Sequence, residues 1–276
     1  MTFTIVFLIA FIASFGLRHW LSQRQIRHVA QHRDVVPANF AEKISLTDHQ
    51  KAADYTIAKL RLGILENGFS AVILIGFTLL GGLQILNLAL LQLLGIGIAQ
   101  QIALLVSIVI ISGILDIPFS WYKQFYLEER FGFNRMSKKL FFSDMFKGMA
   151  VGGAIGIPLL WVIFTLMAKA GDLWWLWAWA VLTAFSLLMQ WIFPTFIAPL
   201  FNKFQALEEG ALKSQIEALL TRCDFASQGL FVMDGSKRSA HGNAFFAGMG
   251  KAKRIVFFDT LIEKLNPGEV EAVLAQ

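Results

Sequence analysis

Cysteine is nearly missing from this sequence of 276 residues: Cys223 stands alone, which excludes an internal disulfide framework and fits a reducing compartment. The lone thiol is expected to be a small buried hydrophobe. Charge is scarce as well. Asp, Glu, Lys and Arg make up 16% of the residues, against about a quarter in a typical soluble domain. Meanwhile 56% are hydrophobic and the mean hydropathy is +0.60. That deficit excludes an ordinary soluble domain and predicts an integral membrane protein. The formal net charge of +5 does not point to nucleic acid as a partner, because the basic residues gather in particular loops, as membrane topology requires.

Apolar runs near Thr2 to Trp20, Leu62 to Leu80, Ile102 to Trp121, Met149 to Met167 and Leu173 to Phe193 each reach the roughly 20 residues needed to cross a bilayer core. The Leu- and Gly-rich stretch from Leu83 to Ile98 is shorter and predicts a re-entrant or outer hairpin. No basic residue precedes the first run, and no small-x-small cleavage site stands ahead of Arg18. An uncleaved anchor is therefore expected rather than a signal peptide. Lys and Arg number eight from Arg18 to Arg61, six from Lys123 to Lys147 and nine from Lys203 onward, while the loop between spans two and three has none. The positive-inside rule then puts the amino terminus outside and everything after Phe193 in the cytoplasm, the inner membrane being the site in a bacterium. The lipid bilayer is the first partner implied. Trp174, Trp175, Trp177 and Trp179 read as an interfacial belt at the outer end of the fifth span.

The last segment reads as a small α+β domain. Leu212, Ile216, Leu219 and Leu220 share one helical face. Short strands are expected at Leu230 to Met233, Ala244 to Phe246 (closed by Gly248-Met249-Gly250) and Ile255 to Phe258, forming a small antiparallel sheet. Thr260 with Glu263 predicts a capping box, and Asn266-Pro267-Gly268-Glu269 predicts a second helix start with reciprocal capping. After it, Val270, Val273 and Leu274 begin an apolar stripe that runs to the last residue, Gln276. The fold class is thus mainly α: a polytopic helical membrane protein of about five spans, followed by a small α+β cytoplasmic domain.

Particular strings go further. Pro194 to Phe204, Gly242-Asn243-Ala244-Phe245-Phe246-Ala247-Gly248 and Arg254 to Leu261, with Lys51-Ala52-Ala53-Asp54-Tyr55-Thr56 and Phe131-Gly132-Phe133-Asn134 upstream, resemble the type-I CAAX prenyl protease family of integral-membrane zinc metallopeptidases. The resemblance covers essentially the whole chain. It implies an amino-terminal transmembrane region over 1–196 and an incomplete metallopeptidase domain over 197–276. It also implies zinc-dependent cleavage near the carboxyl terminus of a prenylated or membrane-associated protein, or membrane-protein quality control in a prokaryote. In such proteins an H-E-x-x-H helix binds zinc through its two His, and its Glu activates the metal-bound water. Here Gln276 follows Ala275 at the place of the first His, and no H-E-x-x-H occurs in the 276 residues. The expectation is that the chain as given holds no stoichiometric zinc and is catalytically incomplete.

The same resemblance makes Asn243, Ala244 and Phe245 an edge strand that pairs with substrate backbone, with His241 beside the cleft. It also implies that the spans enclose a hydrated chamber, which Glu66, Asn67 and Asp116 would face; the alternative is interfacial pairing of these acids with Lys or Arg. His28 and His32 have i, i+4 spacing but no general base between them, and Arg24, Arg27 and Arg33 surround them. They read as a solvated helix face. His19 and His49 read as isolated. Two other classes of function stand beside the protease: a non-catalytic membrane scaffold or relic, and a transporter. Against the latter stands the absence of the internal repeats many transporters carry.

Overall fold

The computed structural model describes residues 2–225, 227–248 and 253–275. The chain divides into two compact units, Met1–Phe131 and Gly132–Gln276. Five helical stretches are long and apolar enough to cross a membrane: Thr2–Gln31, Leu46–Thr78, Ile98–Arg130, Lys138–Lys169 and Gly171–Phe201. These include all five apolar runs of the sequence, and the helices continue into the polar flanks that hydropathy alone leaves unassigned.

The first unit contains α1 (Thr2–Gln31), a 3-10 turn at Ala38–Phe40, α2 (Leu46–Thr78), α3 (Gly82–Leu94) and α4 (Ile98–Tyr122). A π turn at Lys123–Leu127 then leads into α5 (Glu128–Arg130). Ser45 starts α2 by accepting the Asp48 N–H at 3.1 Å, satisfying one of the orphan donors of a helix end. The thirteen residues of α3 rise only about 20 Å, too little to span. Its Asn87 accepts a 2.6 Å bond from buried Gln100 of α4, which closes the α3–α4 hairpin with a satisfied polar pair. Helices α1 and α2 are joined by the Arg33 fork on Asp54, at 2.7 and 2.9 Å. His49 is not isolated as the sequence suggested: its Nε2 bonds the His32 carbonyl at 2.9 Å, because the α1–α2 turn folds back on itself. The string Lys51 to Thr56 meets Phe131 through Tyr55. Its ring stands edge-on to Phe131 at 5.1 Å, and its hydroxyl donates to Glu128 at 2.7 Å.

The second unit begins with α6 (Lys138–Lys169), capped by Ser137, a 3-10 turn at Gly171–Leu173 and α7 (Trp174–Ile192). A π turn at Phe193–Ile197 follows, then α8 (Ala198–Phe201). All four belt tryptophans lie in the first turns of α7 with their rings at least a third exposed. The chain then forms β1 (Phe204–Ala206), α9 (Ala211–Arg222), β2 (Gly229–Met233), a 3-10 turn at Gly235–Lys237, β3 (Ala244–Ala247), β4 (Arg254–Phe258), α10 (Asp259–Ile262) and α11 (Pro267–Ala275).

The sheet order is β1-β2-β4-β3. The sheet is mixed rather than antiparallel, because β2 and β4 run parallel while β1 with β2 and β3 with β4 are antiparallel. Antiparallel neighbours need only a tight turn, but a parallel pair needs a crossover. The residues after β2 form such a crossover, carrying the chain past the place of β4 before β3 begins. On one sheet face Ile255 and Phe257 are fully buried with Ile216 of α9 and Val270 of α11. Leu230, Leu207 and Leu261 complete this core, and Leu212, Leu220 and Leu274 flank it.

Asn266 and Glu269 form the expected reciprocal cap, at 2.9 and 3.0 Å. The Thr260–Glu263 cap does not form. Asp259 accepts the Thr260 N–H instead, and Thr260, fully buried, turns its hydroxyl to the His241 carbonyl at 2.8 Å. Cys223 is exposed rather than buried: it is in phase with Ile216 and Leu219 but stands at the C-cap, past the last residue of α9. Met249, Gly250 and Gln276 lie outside the described residues.

Candidate functional site

Strand β3 stands at the end of the sheet order, with β4 as its only strand partner among the described residues. The Phe258 N–H donates to the Asn243 carbonyl at 2.9 Å, so Asn243, and by alternation Phe245 and Ala247, turn their backbone groups toward β4. Ala244 and Phe246 therefore turn theirs to the open edge. Of these outward groups the Ala244 N–H is taken by the Asn243 side-chain oxygen at 2.9 Å. Among the described residues the Ala244 carbonyl and both polar groups of Phe246 remain as an edge template, the arrangement that accepts an extended chain by strand addition. Side chains alternate accordingly. Ala244 lies on the core face, and Phe246, largely exposed, meets Phe225 at 5.3 Å between ring centres. Phe245 lies on the opposite face, edge-on to Phe258 at 6.3 Å.

The loop leading into this edge is pinned along its length. Arg238 puts its guanidinium fork on Asp144 of α6, at 2.7 and 3.0 Å. It also donates to the Phe201 carbonyl at 2.8 Å and to the side chain of Asn202. Lys237 donates to the same Phe201 carbonyl at 2.6 Å. The Lys203 N–H reaches Asp234 at 2.8 Å. On the other side Asp259 accepts the Ser236 N–H at 2.8 Å and the Ser236 hydroxyl, and Lys264 donates to the Ala240 carbonyl at 2.5 Å. The anchoring groups, side chains and backbone alike, come from residues distant in sequence, and they add to the local Lys237–Asp234 pair and the turn bonds to the Gly235 carbonyl.

Two glycines let the backbone approach this closely. A Cβ on Gly235 would lie 2.5 Å from the Phe258 ring, and one on Gly242 would lie 3.0 to 3.2 Å from Leu261, its Cα included. His241, at the lip, stacks its ring on Phe133 at 4.2 Å. The backbone beside it runs against the string Phe133-Asn134-Arg135, with Ala240 N–H bonded to the Phe133 carbonyl at 2.9 Å and Arg135 N–H to the Arg238 carbonyl at 3.2 Å. Asn243, Ala244, Phe245 and His241, singled out from the sequence, are thus brought together on one loop and strand.

Sequence reasoning missed Arg238, Asp144, Asn202, Asp259 and Lys264. They read as ordinary loop charges, and only an arginine whose acid lies 94 residues upstream reveals their purpose. Elsewhere in this unit, a cavity of about 650 Å³ lies between α9 and the β1–β2 side, lined by Lys213, Glu217 and Leu220 among others. The Glu209 carboxylate beside Lys213 holds that ammonium above its ordinary range.

In the first unit Glu66 and Asp116 line one cavity of about 610 Å³ between α2 and α4, together with Ser70, Ser112 and several aromatic rings. Asp116 accepts from Ser120 at 3.0 Å. Neither acid is in an ion pair among the described residues. His28 and His32 have rings 4.3 Å apart and tilted by 39°, and both are exposed. Among the described residues no three His, Cys, Asp or Glu side chains converge on a point that could hold a metal ion.

The sequence model described as CAAX prenyl protease N-terminal, five membrane helices, matches residues 25–203. Peptidase family M48 matches residues 206–275. CAAX prenyl protease 1 of Saccharomyces cerevisiae is 33% identical over 277 aligned residues, covering 96% of this chain and 60% of that protein. The CAAX prenyl protease 1 homolog of Arabidopsis thaliana is 41% identical over 179 residues, 64% of this chain and 42% of that protein. Among solved structures, S. mikatae Ste24p superposes with a TM-score of 0.89 at 34% identity, covering 96% of this chain and 64% of that one. The chain spans about 60% of the length of the yeast relative it matches.

Proposed function

This chain belongs to the CAAX prenyl protease family, and from that premise we propose that it supplies the membrane region and the substrate-docking edge of a metalloendopeptidase acting near the carboxyl terminus of prenylated or membrane-delivered proteins. In this reading 1–196 is the transmembrane region and 197–276 is part of the metallopeptidase domain. The amino terminus faces outward, and the sheet stands on the side of the basic loops, in the cytoplasm. The observation that carries the proposal is the open edge of β3, with its Ala244 carbonyl and the two Phe246 groups turned outward.

A substrate strand laid along β3 takes its register from those three groups. Asn243, whose oxygen is committed to Ala244, offers its amide N–H groups to a substrate carbonyl. Phe245 and His241 bound the docking strip, one on the sheet face and one at the lip. The pinned loop keeps this template from paying an ordering cost at binding.

Zinc is implied by the family, and the donor set among the described residues does not fit it. A protein of these 276 residues alone is expected to dock peptide and not hydrolyse it, since no H-E-x-x-H is among them. The test uses this chain extended at its carboxyl end with an H-E-x-x-H segment from a CAAX prenyl protease relative. Phe246→Pro removes one outward N–H without touching a β4 hydrogen bond, and Asn243→Ala removes the clamp. Each is expected to weaken peptide hydrolysis about five- to tenfold, the value of one hydrogen bond. Turnover and KM unchanged in both variants would remove strand addition at β3.

A further inference from the structure

In the first unit the cleft between α2 and the end of α4 carries two arginines that make no contact ion pair among the described residues, the carboxylate of Asp54 acting on Arg130 only at longer range. The cleft measures about 450 Å³ and is lined by Arg61, Leu62, Leu65, Phe119, Tyr126 and Arg130 among others. Among the described residues neither Arg61 nor Arg130 donates a hydrogen bond or stands in an ion pair, although Arg130 lies over the Phe131 ring at 5.6 Å. Elsewhere among the described residues Arg33 meets Asp54 and Arg238 meets Asp144 as tight forks, and Arg222 meets Glu271 through one nitrogen at 2.6 Å. Of the acids near the cleft, Asp54 is held by the Arg33 fork and Glu128 accepts the Tyr55 hydroxyl, and neither they nor Glu129 stands in a contact ion pair with Arg61 or Arg130 among the described residues. Two guanidinium groups facing one cleft repel each other unless an anion lies between them.

The level of the cleft narrows the kind of anion. Arg61 stands where the apolar run of α2 begins, and Tyr122 and Tyr126 stand where that of α4 ends. The two phenol rings are stacked 5.5 Å apart and more than half exposed, as side chains of the water–lipid interface are. Below this polar rim the floor is apolar, formed by buried Leu62 and by Leu65 and Phe119. We propose that this cleft binds an anionic phospholipid of the leaflet bordering the basic loops, its phosphate forked between Arg61 and Arg130 and its upper acyl chains against Leu62, Leu65 and Phe119. Planar guanidinium forks suit phosphate oxygens, and basic pockets between spanning helices suit anionic headgroups.

The experiment is native mass spectrometry of the full-length protein released from detergent with added phosphatidylglycerol or phosphatidylcholine. Wild type is expected to retain phosphatidylglycerol in preference. Arg61→Gln and Arg130→Gln should each lower that retention about fivefold, and the double variant roughly thirtyfold, the effect of about 1 kcal/mol per cation near a membrane surface. Leu65→Trp keeps both charges and fills the floor, so it should lower retention independently of any folding defect in the arginine variants. Equal retention of the two lipids, or unaltered retention in the double variant or in Leu65→Trp, would overturn the proposal. Displacement of phosphatidylglycerol by inorganic phosphate at millimolar concentration would reassign the cleft to a soluble anion and overturn the lipid.

Discussion

Two span ends in this chain are built on one backbone plan and surrounded by opposite electrostatics. At the end of α4 the helix widens into the π turn Lys123–Leu127, then runs through α5 to Phe131; at the end of α7 it widens into Phe193–Ile197, then runs through α8. Trp121 and Trp191 precede the two turns, Leu127 and Ile197 close them as buried side chains, and Phe131 and Phe201 follow. In each, the residue after the turn donates back to its first residue, Glu128 to Lys123 and Ala198 to Phe193.

The first end carries its own charges, Lys123, Glu128, Glu129 and Arg130, whereas from Trp191 to Phe201 there is none. The second instead offers bare helix-end carbonyls, which need partners. Lys147 takes that of Leu200 at 3.2 Å, while Lys237 and Arg238 take that of Phe201. One plan thus leaves its cations outward for a ligand, and the other draws in cations from the rest of its unit to anchor the loop before β3.

That contrast is easiest to break at Arg238. Arg238→Met is expected to cost about 4 kcal/mol, because a largely buried Asp144 and two carbonyl-type acceptors lose their donor together. Thermal unfolding checks the cost, and hydrogen exchange should show the 234–243 loop opening first. A wild-type midpoint would mean the loop is not held from this side. The shared plan is probed by Leu127→Ala and Ile197→Ala, each buried to a similar degree and each expected to cost about 3 kcal/mol; a large inequality between the two midpoints would show that the turns are alike in backbone only.

Gly242→Ala, which pushes on the Leu261 backbone, should cost about 2 kcal/mol and displace Asn243, seen as a rise in peptide KM in the extended chain. Asn266→Ala, a purely local change, should cost about 1 kcal/mol in the same melt. Smallest of all, Arg130→Gln should leave the midpoint within about 0.5 kcal/mol. That is the reverse of Arg238→Met, as befits an arginine that makes no contact ion pair among the described residues.

Legibility in the sequence followed the range of the interactions. The Asn266–Glu269 cap was readable because donor and acceptor are three residues apart, and the α9 face because one helix repeats it. Thr260 misled because its nearer neighbour Asp259 took the same N–H, a competition between two side chains that pattern does not rank. Strand β1 escaped notice because its three residues, Phe204-Gln205-Ala206, are too few to carry a period. The strings around Asn243 marked the strand that stands at the edge of the sheet. The groups that hold it, Arg238 with Asp144 and Ser236 with Asp259, meet only across long separations.

By composition and spacing alone, the sequence determined that this is a five-span membrane protein with a small α+β domain, since burial in lipid selects apolar runs regardless of neighbours. The tertiary structure decided the parallel β2–β4 pairing, the outward edge of β3 and the choice between an arginine that braces and one that waits for an anion. Each depends on which distant group arrives within about 3 Å, the reach of a hydrogen bond, and no local pattern encodes that arrival.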